Sequence, residues 1–230
     1  MARMSKEIWK VDKNVFSLAA ERALYKLSGQ GYFDELVSPV SIGKEANIFS
    51  ASTHDGGRII VKIYRVENCN FNTMYQYIRP DPRYMTIKKQ RRQIIFTWVQ
   101  REYRNMLNAR EVIRVPTPLA VRENVLLMEF IGKEAPAPKL KDTRIRDPAL
   151  FNKIIKGVRA LYKAGFVHAD LSEYNILMDG EQPVFIDLSQ MTTIENPNHE
   201  EYMLRDLGII CKYFRSDKKP QDILDSFKKK

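Results

Sequence analysis

Cysteine is nearly absent: among 230 residues only Cys69 and Cys211 occur, too few for a disulfide framework. No apolar run approaches the about 20 residues that a membrane helix requires. The N-terminus also lacks the charged-then-apolar order of a secretory leader. These absences predict a cytoplasmic chain with reduced thiols and no membrane partner. At 44% apolar content, the chain is long enough to bury a substantial core. Its 38 basic residues exceed its 28 acidic ones, for a formal charge of +10, which favours a polyanionic partner through counterion release.

The most informative stretch is Val167-His168-Ala169-Asp170-Leu171-Ser172-Glu173-Tyr174-Asn175-Ile176-Leu177, followed by Val184-Phe185-Ile186-Asp187. An aspartate, four intervening residues and an asparagine give the spacing of a catalytic loop for phosphoryl transfer, where Asp170 orients the nucleophile and Asn175 offers a metal ligand. Ile176–Met178 and Val184–Ile186 read as short strands joined by the turn Asp179-Gly180-Glu181-Gln182. That hairpin brings Asp187 back beside Asn175 as a second hard oxygen ligand. Such a spacing alone arises often by chance, and an aspartate after a strand is commonly a turn cap. The conjunction of His168, the hairpin and the terminal carboxylate favours the chemical reading.

Phosphoryl transfer also needs a lysine on the nucleotide phosphates and a glutamate to hold it. Lys62 lies inside the β-branched run Arg58-Ile59-Ile60-Val61-Lys62-Ile63-Tyr64, where a charge needs a partner. Between Lys88 and Ala109, Ile95, Trp98, Val99 and Met106 recur at helical spacing, and Glu102 falls on the same apolar face. A Lys62–Glu102 ion pair is expected. Upstream, Ser41-Ile42-Gly43-Lys44-Glu45-Ala46-Asn47-Ile48-Phe49 occupies the place of a phosphate-covering loop, although it holds one glycine where the kinase pattern has three. Val125–Gly132 reads as a buried strand entering a hinge, where adenine would pair with backbone at Glu129 and Ile131.

In order, "SIGKEANIF", "IIVKIY", "LLMEFIG", "VHADLSEYNIL" and "VFIDLSQ" resemble the RIO family of atypical serine/threonine protein kinases, over about Ser41 to Phe214. The resemblance implies an α+β, two-lobed, trimmed protein-kinase-like fold, with a small β-rich N-lobe and a mostly helical C-lobe. It implies ATP with Mg2+ or Mn2+, serine autophosphorylation and work in small ribosomal subunit maturation. Residue by residue, it makes Lys62 the phosphate-contacting lysine, Glu102 its partner, Asp170 the catalytic base, and Asn175 and Asp187 the metal ligands. Ser41 and Lys44 would touch phosphate, while Met128, Glu129 and Ile131 would line the adenine slot. Family members are also proposed to pass phosphate to the metal-binding aspartate, here Asp187, which makes an ATPase switch the alternative output.

Ala169 stands where ordinary protein kinases have arginine, Leu188-Ser189 follows Asp187 in place of Phe-Gly, and no Ala-Pro-Glu segment appears. An activation segment and peptide-binding helices are therefore not expected. The expected organisation is an N-terminal helical extension over 1–36, an N-lobe over 37–131 with a flexible loop at about 65–87, and a C-lobe over 132–230. Val15–Leu27 reads as one amphipathic helix, and residues 1–36 are too few for a winged helix, so the subfamily without that domain is the nearer one. Further helices are expected from Phe151 to Tyr162, capped by Asp147 and stopped at Gly165, and from Tyr202 to Phe214. In the latter, Asp206 would support the catalytic loop by resemblance, the plain alternative being a solvent-facing ion pair with Arg205.

Arg79, Arg83, Lys88, Lys89, Arg91 and Arg92 cluster with Tyr75, Tyr77 and Tyr84, a pattern that suits ribosomal RNA, though most charge runs are solvated faces. The loop at 65–87 shows no steady period; Thr73 and Thr86 are its hydroxyl acceptors besides tyrosines. Protein substrates, the chain itself included, and a ribosomal precursor are thus the expected partners. A small-molecule kinase and a non-enzymatic RNA-binding module are the rival readings, the former opposed by "GKEAN".

Overall fold

The computed structural model describes residues 16–229. Positions 1–15 of the expected N-terminal extension, including Val15, lie outside the described residues. Two compact units are present. Of the described residues, one comprises 16–76 with Thr86–Tyr103 and Thr117–Phe130; the other comprises Tyr77–Met85, Arg104–Pro116 and 131–229. Together they make an α+β fold. No helix among the described residues is long and apolar enough to cross a membrane.

The first unit is organised by one antiparallel sheet. Its strands are β1 (Glu35–Ile42), β2 (Ala46–Ser52), β3 (Arg58–Tyr64), β4 (Pro118–Arg122) and β5 (Val125–Glu129), in the spatial order β1-β2-β3-β5-β4. Side chains alternate between faces with period two. Phe49, Ala51, Ile59, Val61, Ile63, Val125 and Leu127 form one buried cluster with Ala20, Ala23, Leu24 and Leu27 of helix α1 (Leu18–Gly29). Ser17 caps α1 by accepting the Ala20 N–H at 3.3 Å. The intervening residues Ile60, Lys62 and Tyr64 must therefore face the other way, and all three are buried.

The stretch 65–87 holds more order than its sequence shows. Helix α2 (Phe71–Ile78) and a 3-10 turn (Pro82–Tyr84) occupy it. Eight helical residues barely span two turns, too short for a period to stand out in the sequence. Helix α3 runs Arg91–Ala109, three residues shorter at its start than the periodicity indicates; helix ends are the least legible part of any helix.

The second unit contains a short α4 (Leu140–Thr143), α5 (Pro148–Lys163), α6 (His199–Phe214) and α7 (Pro220–Lys228). Asp147 caps α5 through the Ala149 N–H at 3.0 Å. Two small ribbons complete it: β6 (Phe166–Val167) with β9 (Thr192–Thr193), and β7 (Ile176–Asp179) with β8 (Gln182–Phe185). The Ala135-Pro136-Ala137-Pro138 link is docked on the second of these, since Pro138 O accepts the Met178 N–H at 2.9 Å.

Candidate active site

In the first unit, pairing register decides what surrounds Lys62. It lies opposite Ile48 on β2 and Leu126 on β5, and Met128 lies opposite Ile60. Residues directly opposite share a sheet face, so Ile48, Ile60, Leu126, Met128 and Lys62 present one largely apolar surface with a single ammonium in it. Ile60 is expected beside Lys62 from sequence; Ile48 and Leu126 are not, because cross-strand register brings them there. Lys62 Nζ donates to Glu102 Oε1 at 2.7 Å, with the two side chains only 8% and 1% exposed. Tyr64 Oη donates to Glu102 Oε2 at 2.5 Å. Both carboxylate oxygens are thereby engaged, which a buried ion pair requires to offset its desolvation.

Ser41 and Lys44 are exposed on the β1–β2 hairpin. A side chain at Gly43 would come within 2.9 Å of Ala46 O, and the Gly43 N–H donates to that same oxygen at 3.0 Å. The one glycine of this loop is therefore fixed by a close backbone approach. Glu129 spends its carboxylate on the Thr117 N–H at 2.9 Å, consistent with its backbone rather than its side chain facing a ligand.

In the second unit, the hairpin does what its sequence predicts. Ile176 pairs with Phe185, and the next Ile186 N–H donates to Asn175 O at 3.0 Å, which sets Asp187 beside Asn175. The Asn175 amide donates through Nδ2 to Asp170 O at 2.8 Å and Asp170 Oδ2 at 3.3 Å. Asp170, Asn175 and Asp187 are all half-buried. Asp187 takes left-handed backbone angles, φ 59° and ψ 61°, and its Oδ1 accepts the Ser189 hydroxyl at 2.9 Å. Two neighbouring hard oxygens, one carboxylate and one amide, fit Mg2+, which takes few protein ligands and completes its shell with water and phosphate. Among the described residues no cluster of three or more His, Cys, Asp or Glu forms a self-sufficient metal cage.

The loop's shape depends on Asp206. Its two oxygens accept the Ala169 N–H at 2.8 Å and the Leu171 N–H at 3.0 Å, fixing Ala169 at φ +64°. Arg205 binds Ala169 O from the same helix. A solvent-facing Arg205–Asp206 pair is thus not what forms: Asp206 is buried, and its burial pushes its pKa up to about 7 against the pull of the Leu171 N–H, Arg205 and the Ala169 N–H. His168 places Nε2 at 3.2 Å from Ile186 O, which requires Nε2 to carry the proton. Burial pushes His168 down to about 4, opposed by the Asp187 charge.

The basic cluster divides. Lys89 stacks over Tyr75, Arg91 over Phe71 and Arg92 over Phe96, all at exposed positions. Arg83, grouped with them in sequence, is instead turned to Asp81 at 2.7 Å, because a buried carboxylate outweighs solvent as its partner.

The RIO domain family model matches residues 47–226. The chain is similar to the RIO-type serine/threonine-protein kinase Rio1 of Methanocaldococcus jannaschii, 41% identical over 222 residues, covering 95% of this chain and 76% of that protein. To the Rio1 kinase of Haloferax volcanii it is 39% identical over 210 residues, covering 90% and 72%. Its fold is like that of the Chaetomium thermophilum Rio2 kinase crystallised as an ADP/Mg2+-phosphoaspartate complex, with TM-score 0.67 and 21% identity over 89% of this chain and 65% of that one. The chain belongs to the RIO domain family.

Proposed function

We propose that the chain is a RIO-type serine/threonine protein kinase that transfers the γ-phosphate of ATP to a serine or threonine hydroxyl, its own included. The observation that carries this reading is the pair of Asn175 amide bonds to Asp170, at 2.8 and 3.3 Å, together with the Ile186–Asn175 backbone bond at 3.0 Å that brings the next residue, Asp187, alongside. Asp170 orients the hydroxyl and receives its proton as the oxygen attacks the γ-phosphorus and the bond to ADP breaks. Asn175 and Asp187 would hold Mg2+ or Mn2+, which supplies charge neutralisation on the phosphates when bound. Lys62, oriented by Glu102 and Tyr64, contacts the phosphates, with Ser41 and Lys44 adding contacts from the hairpin. Met128, Ile60 and Ile48 offer adenine an apolar face, beside the backbone of Glu129 and Ile131.

The phosphoaspartate of the Chaetomium Rio2 complex is that protein's chemistry. For this chain, an ATPase output runs through Asp187: its carboxylate takes the phosphoryl group, ADP leaves, and water releases inorganic phosphate. A ribosomal precursor remains the proposed setting, supported by the +10 charge and the stacked Lys89, Arg91 and Arg92.

Single-turnover assays with γ-labelled ATP test both outputs. Acid-stable label on protein supports the kinase; label lost to hydroxylamine supports acyl phosphate on Asp187. Transfer undiminished in Asp170→Ala removes the catalytic assignment. Binding to ribosomal particles should weaken steeply with added salt, and a flat response removes the RNA partner.

A further inference from the structure

The turn after Asp187 is gripped by side chains for which phosphoryl transfer has so far supplied no role. Leaving Asp187, the chain makes one 3-10 turn, Leu188–Gln190, closed by the Met191 N–H on Leu188 O at 3.1 Å. Both of these residues' carbonyls accept from one amide: Asn105 Nδ2 reaches Leu188 O at 2.7 Å and Met191 O at 2.8 Å. Arg83 Nη2 adds a second donor to Met191 O at 3.1 Å.

Arg83 is itself immobilised. Its Nε lies 2.9 and 3.2 Å from the two Asp81 oxygens, its Nη2 is 2.7 Å from Asp81 Oδ2, and its Nη1 donates to Asn105 Oδ1 at 2.9 Å. Asp81 and Asn105 are fully buried. Thr192 extends the network by approaching Asp81 Oδ2 at 3.4 Å and accepting from Asn196 Nδ2 at 3.0 Å. A guanidinium is a rigid fork of donors, so one carboxylate, one amide and one carbonyl together allow it a single orientation. Only the Asp81 side of this pair is fully buried, Arg83 being 25% exposed; such pairs are weak sources of stability, and their best-attested use is to specify one geometry.

The carbonyls held here, of Leu188 and Met191, belong to the turn that begins immediately after Asp187. A non-glycine residue in left-handed backbone is strained and persists only where its surroundings over-determine it. We propose that Arg83, with Asp81 and Asn105, is a positioning clamp that fixes the Asp187 carboxylate for a divalent cation. The proposal rests on the kinase reading, which makes Asp187 a metal ligand. Mg2+ demands near-octahedral placement of its oxygens, and partners that orient a ligand commonly account for about 10- to 100-fold in metal affinity.

Two full-length variants test it. Arg83→Lys supplies a charge that cannot span Asp81, Asn105 and Met191 together. Asn105→Asp is isosteric and keeps an acceptor for Arg83, yet it has no N–H for Leu188 and Met191, so it serves if the first variant fails to fold. Amide hydrogen exchange is followed over 187–193 without nucleotide or metal, and phosphate transfer is titrated with Mg2+ at saturating ATP. In both variants exchange of these amides should accelerate about 10-fold while the β7–β8 hairpin keeps its protection, and the Mg2+ giving half-maximal transfer should rise about 10-fold with kcat recovered at high Mg2+. Unchanged exchange would overturn the clamp. Faster exchange with an unmoved Mg2+ midpoint would overturn its role toward the metal. A wild-type chain inert toward Mg2+ and ATP fails on the kinase reading instead, which shows before any variant is made.

Discussion

Asn175 turns its amide N–H groups onto Asp170, at 2.8 Å from the carbonyl oxygen and 3.3 Å from Oδ2. The asparagine therefore does two things: its nitrogen fixes the aspartate, and its oxygen is left for another partner. An amide can do both, whereas a carboxylate here would have no N–H to offer Asp170.

Asn175→Asp should therefore be nearly inactive although it adds a candidate metal ligand. Its new oxygen would face Asp170 O and Oδ2 with no proton between them. A loss of about 100-fold in single-turnover phosphate transfer is expected, equivalent to roughly 2.7 kcal/mol of barrier. Activity within about threefold of wild type would mean that the Nδ2 contact to Asp170 has no catalytic weight.

Lys62 and Glu102 make a stronger claim on stability than an exposed pair would. Removing one partner of a buried pair strands the other, at a cost of about 3–5 kcal/mol. Lys62→Met should cost near this amount in urea denaturation, softened by the Tyr64 hydroxyl that stays on Glu102. Lys62→Met with Glu102→Gln should recover much of the loss, because no charge is left buried, while phosphate transfer stays abolished. A double variant as unstable as the single one would show that packing, not charge, is what Lys62 contributes.

Much of the geometry around these residues was legible because local pattern and structural position coincide. Lys62 interrupts a β-branched run, Glu102 interrupts a helical apolar face, and Asp187 follows a hairpin whose turn residues are explicit. What stayed hidden has no periodic signature. Arg83 reads as one more member of a basic run, yet its partners Asn105 and Met191 come from distant sequence. Arg101, on the same helix as Glu102, reads as polar and is fully buried over Trp98. Such contacts are set by tertiary packing, which hydrophobic periodicity does not encode.

Asp206 should be separable from the residues it supports. Asp206→Asn keeps one acceptor for the Ala169 and Leu171 amides and turns an N–H toward the other, leaving a buried donor unsatisfied at about 1–3 kcal/mol. Transfer should fall at least about 10-fold with Lys62 and its sheet unaffected, since the change lies in the loop. As Asp206 titrates near 7, the wild type should also lose activity as pH falls through that value, while the variant loses none from this source. Parallel profiles would show that another group governs the acid limb.

His168 makes a pH prediction whose sign follows from burial. Its folded pKa, about 4, lies below the usual 6.5, so between those values the unfolded chain binds a proton that the folded one refuses. Stability from this group is therefore complete above pH 6.5 and is lost as pH falls towards 4, by up to roughly 3 kcal/mol. Asp206 acts oppositely over the same window, because its raised pKa makes the folded form the one that binds the proton. The two are resolved by comparison with His168→Gln, whose amide can still donate to Ile186 O but does not titrate. Urea midpoints at pH 7 and pH 5 in metal-free buffer should drop more in wild type than in the variant. Equal drops would mean that the His168 ring admits a proton within the folded loop, and that its neutral Nε2–H form is not what holds Ile186.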